Sequence, residues 1–301
     1  MPEPGLGRLL TAMVTPFDER GELDLEGAGR LARWLVAEGS DGVVVAGTTG
    51  ESPGLTDAEK LSLLRAVREA IPAHTVVAGT GTNDTRHSVQ LSEAAMAAGA
   101  DALLAVVPYY NRPPQEGILR HFEAIARVGP TIMYNIQGRT GVNMTVETTL
   151  RAAELPGIVG VKEASGDLNQ IGLICAGRPA GFWVWSGDDA LTLPLLAVGG
   201  DGVICVVSHL AGRAMRRLIE AYLAGRVEEA ASIQAALLPL MRTLMTASTS
   251  PIPVKQVLNR LGAKVGPLRL PLVDMPEGDL QRVMTVVQKA GSLIQVGERV
   301  G

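Results

Sequence analysis

Gly157-Ile158-Val159-Gly160-Val161 is a short apolar run that stops at Lys162 and gives way to polar residues. Its length and its β-branched side chains predict a buried strand. Seven other runs of this kind occur along the chain, and longer stretches with helical periodicity separate them. One of these stretches predicts a helix over residues 57–70, which starts at a Thr56 cap and ends before Pro72. Together these runs predict eight strands over residues 9–14, 42–46, 75–78, 102–107, 131–134, 158–161, 182–185 and 202–206.

Eight apolar strands that alternate with helices predict a parallel sheet covered by helices. The count of eight favours a (β/α)8 TIM barrel of the α/β class, and a doubly wound open sheet is the alternative. After about residue 225 the strand pattern stops, and residues 227–245, 252–261 and 277–293 predict helices separated by Pro and Gly. We therefore expect a barrel domain over residues 1–225 and a C-terminal helical domain over residues 226–301.

The composition excludes several functional classes. Of the 301 residues, 47% are hydrophobic and 19% are charged, which is typical of a globular protein. The net charge of −4, without a basic cluster, argues against nucleic acid or a membrane surface as a partner. The sequence has no apolar stretch of about 18 residues and no signal-peptide pattern. Cys175 and Cys205 cannot form a disulfide framework, so we expect each to fill apolar space in a reducing cytoplasm.

Lys162 stands at the carboxyl end of a predicted strand, which is where TIM-barrel enzymes carry their catalytic residues. Burial disfavours the charged form of an amine, so a lysine in this position suits the role of a nucleophile. Taken alone, the position also fits a strand-end lysine whose ammonium group reaches water. The residues that follow the other strands decide between the two interpretations.

Further unusual residues are predicted at the same end of the barrel. Gly47-Thr48-Thr49-Gly50 follows the second strand, and its N–H groups and hydroxyls suit a small carboxylate, although such a turn can be purely structural. Tyr109, Tyr110 and Tyr134, three of the four tyrosines, end the fourth and fifth strands. A phenol near a lysine can hold and move a proton, while an aromatic lid is the alternative for Tyr109. Arg139, in the loop predicted after the fifth strand, can clamp a second carboxylate in bidentate fashion.

Other chemistries find little support. The four histidines are scattered without metal-ligand spacing, so we expect no metal site. The chain has no Gly-x-Ser-x-Gly nucleophile elbow, and Gly79-Thr80-Gly81 lacks the third glycine of a nicotinamide fingerprint. An amine, phenols, an anion-binding turn and an arginine suit Schiff-base chemistry on a 2-oxo acid. Lys162 condenses with the ketone, and the iminium then serves as the electron sink, so we expect no cofactor.

The chain resembles the dihydrodipicolinate synthase branch of the N-acetylneuraminate lyase superfamily over nearly its whole length. Several independent motifs carry the resemblance in order and spacing: Thr11-Ala12-Met13-Val14-Thr15-Pro16-Phe17, Gly47-Thr48-Thr49-Gly50-Glu51-Ser52, Pro108-Tyr109-Tyr110-Asn111-Arg112-Pro113, Tyr134-Asn135, Val161-Lys162-Glu163-Ala164, Pro251-Ile252-Pro253-Val254-Lys255 and Leu268-Arg269-Leu270-Pro271.

The resemblance implies a catalytic role for four residues. Lys162 forms the imine with pyruvate, and Tyr134, Thr48 and Tyr110 form a proton relay. Tyr110 is implied to reach in from a neighbouring subunit. At least a homodimer is therefore expected, and a homotetramer built as a dimer of dimers is the family-like arrangement.

The resemblance also implies the substrates and the residues that bind them. Thr49 and Ile204 contact pyruvate through their backbones, with Gly187 in the same binding site. Arg139 holds the carboxylate of L-aspartate 4-semialdehyde. The implied activity is a lyase of the class I aldolase type, which condenses the two substrates on the route to diaminopimelate and lysine.

Two departures from the family pattern affect what the resemblance implies. Gln137-Gly138 replaces the usual Pro-Ser before Arg139, which leaves the second substrate open. The alternatives are a related pyruvate aldolase acting on 2-keto-3-deoxy sugar acids or 4-hydroxy-2-oxoglutarate, or a silent barrel that binds pyruvate or an amino acid.

Asp57 and Lys60 occupy the positions of histidines in lysine-inhibited bacterial members, and His87 occupies the position of a glutamate. We therefore expect weak or absent feedback inhibition by lysine.

Overall fold

A computed structural model describes residues 5–294 of the chain. Within these residues, eight parallel strands pair in sequence order, and β1 also pairs with β8 to close a barrel. The predicted (β/α)8 TIM barrel is therefore confirmed, and the open sheet is excluded. The strands are β1 Leu9–Ala12, β2 Gly42–Val45, β3 Thr75–Gly79, β4 Ala102–Val106, β5 Thr131–Asn135, β6 Ile158–Glu163, β7 Trp183–Ser186 and β8 Gly202–Cys205.

Helices follow the strands and cover the outside of the barrel. They begin where the sequence offers caps: the Thr56 hydroxyl accepts from the N–H of Glu59, whose carboxylate accepts from the N–H of Thr56. The barrel helices are α1 Leu25–Ala37, α2 Asp57–Ala70, α3 Thr85–Ala97, α4 Gln115–Ala126, α5 Gln137–Thr140, α6 Val146–Ala153, α7 Leu168–Gly177, α8 Thr192–Ala197 and α9 Ser208–Leu223.

Three more helices form the C-terminal extension: α10 Val227–Thr246, α11 Ile252–Arg260 and α12 Glu277–Ala290. The extension packs on the barrel through α9 and α10, while α12 contacts both α10 and α11. The predicted helices are confirmed, although α12 ends three residues early and a 3-10 turn, Gly291–Leu293, completes the segment. The division into two domains at residue 225 stays a prediction, and residues 295–301 of the proposed second domain lie outside the described part.

Alternation along the strands gives the core two layers, because successive side chains point to opposite faces. One layer lies between strands and helices, and the other fills the barrel interior. The interior layer consists of Leu10, Ala12, Val44, Val77, Ala102, Leu104, Ile132, Tyr134, Trp185 and Ile204. The indole N–H of Trp185 donates to the carbonyl oxygen of Gly7 at 2.9 Å. None of the helices in residues 5–294 combines the length and the apolar character that a membrane span needs.

Strand β6 runs two residues further than predicted. Its pairing with β5 continues through Lys162, opposite Tyr134, to Glu163, opposite Asn135. The amide of Asn135 donates to both carboxylate oxygens of Glu163, at 3.2 and 3.0 Å. The sequence pattern predicts the end of the strand at Val161, where the apolar run stops. The polar pairing of Asn135 with Glu163 extends the ladder past that point.

Candidate active site

Lys162 lies in the barrel on β6 with only 5% of its surface exposed. Its Nζ lies 4.3 Å from the centroid of the Tyr134 ring on the neighbouring strand. The alternative of a strand-end lysine that reaches water is therefore excluded. An amine and a phenol brought together in this way can form an imine and transfer protons around it.

Gly187, directly after β7, gives Lys162 the space it occupies. A Cβ at Gly187 would lie 2.6 Å from Cβ of Ala164, 3.1 Å from Cε of Lys162 and 3.3 Å from its Cγ. The first distance is far inside van der Waals contact. Any larger residue at this position would displace the lysine side chain or the backbone beside it.

A cavity of about 260 Å³ opens at the carboxyl end of the strands. Tyr134 and Thr48 line it, as do Tyr109 and Arg139. The volume is large enough for a small substrate, and the Lys162 amine packs on the ring of Tyr134, one of the lining residues. Ile204 is buried in the barrel interior, on β8.

The turn at residues 47–52, here called the β2 turn, contributes Thr48 to the cavity. Hydrogen bonds from the N–H groups of Gly50 and Ser52 to the carbonyl oxygen of Gly47 close it, at 3.0 and 3.3 Å. Within residues 5–294, no hydrogen bond uses the N–H groups of Thr48 and Thr49. Such successive N–H groups suit an anion. The geometry therefore supports the predicted carboxylate site.

Arg139 lies on α5, a single helical turn, where the sequence predicted a loop. That prediction was wrong because Gly141, with a φ of 76°, caps the turn and lets residues 137–140 close into a helix. One Nη of Arg139 donates to the carbonyl oxygen of Ser250 at 3.1 Å. The guanidinium forms no ion pair with any carboxylate of residues 5–294, so it is available to an acidic substrate.

Tyr110 lies outside the cavity of its own chain. It is 89% exposed and has a φ of 70°, whereas its neighbour Tyr109 faces the cavity. The structure thus brings together Lys162, Tyr134, Thr48, Arg139 and Gly187 but leaves Tyr110 apart.

Three polar residues near the cavity, singled out in connection with lysine inhibition, form a small cluster. His87 Nε2 lies 2.6 Å from Oδ2 of Asp57, and Nζ of Lys60 lies 3.8 Å from Oδ1 of the same carboxylate. Burial lowers the pKa of Lys60, and Asp57 opposes that shift. The Asp57 carboxylate is therefore already engaged by two basic groups of the same chain.

Two other histidines, His121 and His209, have structural partners, and His121 Nδ1 lies 2.9 Å from Oγ1 of Thr85. His209 Nε2 accepts from the N–H of Val14 at 3.1 Å, and its Nδ1 lies 2.9 Å from the carbonyl oxygen of Val206. Burial lowers the pKa of His121 and of His209 to about 4. Within residues 5–294, no three His, Cys, Asp or Glu side chains are grouped so that they could hold a metal ion.

Sequence reasoning missed two buried charged residues near the site. Glu163 is 1% exposed and is bound by amides of Asn135 and Gln170. Lys255 is 1% exposed and pairs with Glu51. The signal for Lys255 is helical spacing, since it stands three residues from both Ile252 and Leu258 on an apolar face.

The sequence profile of the Dihydrodipicolinate synthetase family matches residues 5–290. The 4-hydroxy-tetrahydrodipicolinate synthase of Moorella thermoacetica is 53% identical over 290 residues, which cover 95% of this chain and 99% of the relative. The crystal structure of DHDPS from Cyanidioschyzon merolae with lysine bound superposes with a TM-score of 0.94 at 44% identity, covering 96% of this chain and 99% of the other.

A structure described as the first monomeric dihydrodipicolinate synthase variant superposes with a TM-score of 0.91 at 41% identity, covering 94% of this chain and 96% of the other. These matches extend over the barrel and the helices that follow it, and they include the strands that carry Lys162 and Tyr134. The chain belongs to the Dihydrodipicolinate synthetase family.

Proposed function

We propose that Lys162 forms an imine with pyruvate and that the chain then condenses it with L-aspartate 4-semialdehyde. The observation that carries the proposal is the buried Lys162 amine, 4.3 Å from the ring of Tyr134, which lines the cavity. The lyase activity expected from the sequence, 4-hydroxy-tetrahydrodipicolinate synthase in the biosynthesis of diaminopimelate and lysine, is confirmed by curated relatives of this name at 45–53% identity.

The chemistry follows from an amine held next to a phenol. The neutral Lys162 amine attacks the ketone carbon of pyruvate, and loss of one water gives the imine. Protonated, the imine draws electrons from the adjacent methyl group, whose carbon loses a proton and attacks the aldehyde. The amino group of the second substrate then attacks the imine carbon, closes the ring and releases Lys162. Tyr134, Thr48 and Tyr110 are proposed to carry the protons.

The binding residues follow from where the carboxylates must lie. The N–H groups of Thr48 and Thr49 are proposed to hold the pyruvate carboxylate, and the backbone of Ile204 and Gly187 to border the substrate. Arg139, with no carboxylate partner in the described chain, is proposed to hold the carboxylate of the aldehyde. The iminium itself is the electron sink, so the reaction as proposed uses no cofactor or metal ion.

The proposed assembly is at least a homodimer, because Tyr110 is 89% exposed and serves the relay only from a neighbouring copy. A second contact that would make a homotetramer is proposed at Leu168, Leu173 and Val198, which are exposed apolar side chains on and beside α7. We propose the cytoplasm as the location, since both cysteines are free thiols.

Reduction of the purified chain with borohydride in the presence of pyruvate tests the proposal. The expected result is a covalent pyruvate adduct, mapped to Lys162 by mass spectrometry and absent from K162M. An unchanged mass would refute imine catalysis and favour a silent binding barrel. Consumption of aspartate semialdehyde, compared with cleavage of 2-keto-3-deoxy sugar acids and 4-hydroxy-2-oxoglutarate, then tests the second substrate.

A further inference from the structure

A buried ion pair joins the C-terminal extension to the β2 turn. Lys255 of α11 places its Nζ 2.6 Å from Oε1 of Glu51, and the two side chains are 1% and 2% exposed. The other carboxylate oxygen of Glu51 accepts a hydrogen bond of 2.9 Å from the backbone N–H of Arg269. Both oxygens of this carboxylate are thus bound by residues of the extension, more than 200 positions further along the chain.

The backbone of the β2 turn needs such support at Glu51. This residue has a φ of 57° and a ψ of 34°, in the left-handed region that residues with a side chain rarely adopt. Its N–H donates to the carbonyl oxygen of Thr48 at 3.1 Å. A conformation of this kind persists only where surrounding contacts hold it. A change at Glu51 is therefore transmitted directly to Thr48.

Arg269 adds a second link between the extension and the start of the barrel. Its guanidinium lies 4.3 Å from the centroid of the Phe17 ring, against which the Lys255 ammonium also packs at 4.1 Å. The same guanidinium lies 2.6 Å from Oε1 of Glu59 on α2. That hydrogen bond is the main reason why the pKa of Glu59 falls to about 2.

Stability alone is a poor explanation for the Glu51–Lys255 pair. Burial lowers the pKa of Lys255 to about 8, although Glu51 and Asp274 act in the opposite direction and Arg269 adds to the lowering. Desolvation of the ammonium group therefore outweighs its attraction to the carboxylates. Apolar residues of similar volume often replace a buried ion pair without loss of stability. The pair is therefore better explained by the segments that it holds together, α11 and the β2 turn.

We infer that Lys255 and Glu51 are positioning residues, through which the C-terminal extension holds the β2 turn in the shape that binds the substrate carboxylate. Neither residue touches the substrate in this arrangement. The inference rests on the proposed function, in which Thr48 and Thr49 bind pyruvate. It predicts that changes in α11, far along the sequence, weaken the binding of pyruvate.

Three variants test the inference. K255M removes the ammonium group but keeps the apolar stem, and E51Q/K255M also removes the charge that would be left buried without a partner. R260M is the matched control, because Arg260 lies on the same helix and pairs with Glu277 in an exposed ion pair. The measurements are the melting temperature, the KM for pyruvate, and amide exchange in a peptide covering residues 47–52.

For K255M we expect a lower melting temperature and faster amide exchange in the β2 turn. The KM for pyruvate should rise roughly 10- to 100-fold, because a shift of the β2 turn by about 1 Å misplaces the N–H groups that bind the carboxylate. E51Q/K255M is expected to recover the melting temperature, because no unpaired charge remains buried, but not the KM. In the wild type, the KM rises as the pH passes through about 8, where Lys255 loses its proton, and K255M loses that step.

Two results would overturn the inference: unchanged amide exchange in K255M, or a KM that returns to the wild-type value together with the melting temperature in E51Q/K255M. If the proposed function is wrong, the wild type forms no pyruvate adduct on reduction with borohydride, and that result is independent of the three variants. Amide exchange then decides the positioning role without any reference to turnover.

Discussion

Gly187→Ala tests whether Lys162 is held in place by the space beside it. The added Cβ would lie 2.6 Å from Cβ of Ala164, whereas two carbon atoms in contact are about 3.5–4.0 Å apart. Ala164 follows β6 directly and its Cβ cannot rotate away, so the segments after β6 and β7 must separate by about 1 Å. Because Lys162 lies between the new methyl group and Tyr134, the amine moves with that separation.

Displacement of a reacting group by about 1 Å costs on the order of 100-fold in rate, or about 2.7 kcal/mol of transition-state stabilisation. Overpacking of this kind also destabilises a core by about 1–3 kcal/mol, so the melting temperature should fall by several degrees. The assay is steady-state kcat, together with the rate at which borohydride traps the pyruvate adduct. Both rates should fall by a similar factor.

Gly278→Ala is the matched control, since a Cβ at Gly278 in the first turn of α12 meets no atom within 4 Å. This variant should keep kcat and gain slightly in stability, because alanine favours helix. A Gly187→Ala enzyme with kcat within twofold of the wild type would refute the reasoning. It would show that the position of the amine does not depend on the packing of Lys162 against Gly187.

The other predictions concern the phenol, lysine and pH. Tyr134→Phe keeps the ring under Lys162 but should lower kcat 10²- to 10⁴-fold, and a kcat within threefold would exclude the relay role. Activity titrated with lysine should stay unchanged at physiological concentrations, because His87 and Lys60 already engage Asp57; clear inhibition would contradict this. His209 binds a proton below about pH 6.5 in the unfolded chain but only near pH 4 in the folded chain. Lowering the pH from 6.5 to 4 therefore favours the unfolded chain. The free energy of unfolding, measured in urea, should fall by about 3 kcal/mol more for the wild type than for His209→Gln over that range.

Sequence patterning predicts the barrel well because its strands are apolar and locally encoded. The helix at residues 57–70 was predicted to the residue, since the Thr56 cap and Pro72 mark both of its ends. The pairing of Lys162 with Tyr134 also follows from sequence, because equivalent positions of consecutive strands become neighbours in a parallel barrel. The helix α5 was missed because a one-turn helix has no periodicity, and its cap depends on the left-handed Gly141.

The contacts that escaped prediction are those between segments far apart in the sequence. Glu51 and Lys255 are separated by 204 positions, and no local pattern pairs a turn glutamate with a lysine on a distant helix. Tyr110 is a different case: the family resemblance assigns it to the relay from a neighbouring subunit, and that role stays a prediction because Tyr110 is 89% exposed in the single chain. Local signals thus identify which residues are unusual, whereas only the fold shows which of them meet.

The residues proposed to react and those proposed to bind the substrate carboxylates are held by different parts of the fold. Lys162 and Tyr134 lie on strands, where ladder hydrogen bonds and the interior layer fix their positions. The β2 turn and Arg139 lie in connections beyond the strands, where the barrel itself offers fewer constraints. In both cases the extension supplies the missing contact: Lys255 holds Glu51, and the carbonyl oxygen of Ser250 accepts from Arg139. In the proposed mechanism, the barrel therefore fixes the reacting amine, while the C-terminal helices control how the two substrate carboxylates are presented to it.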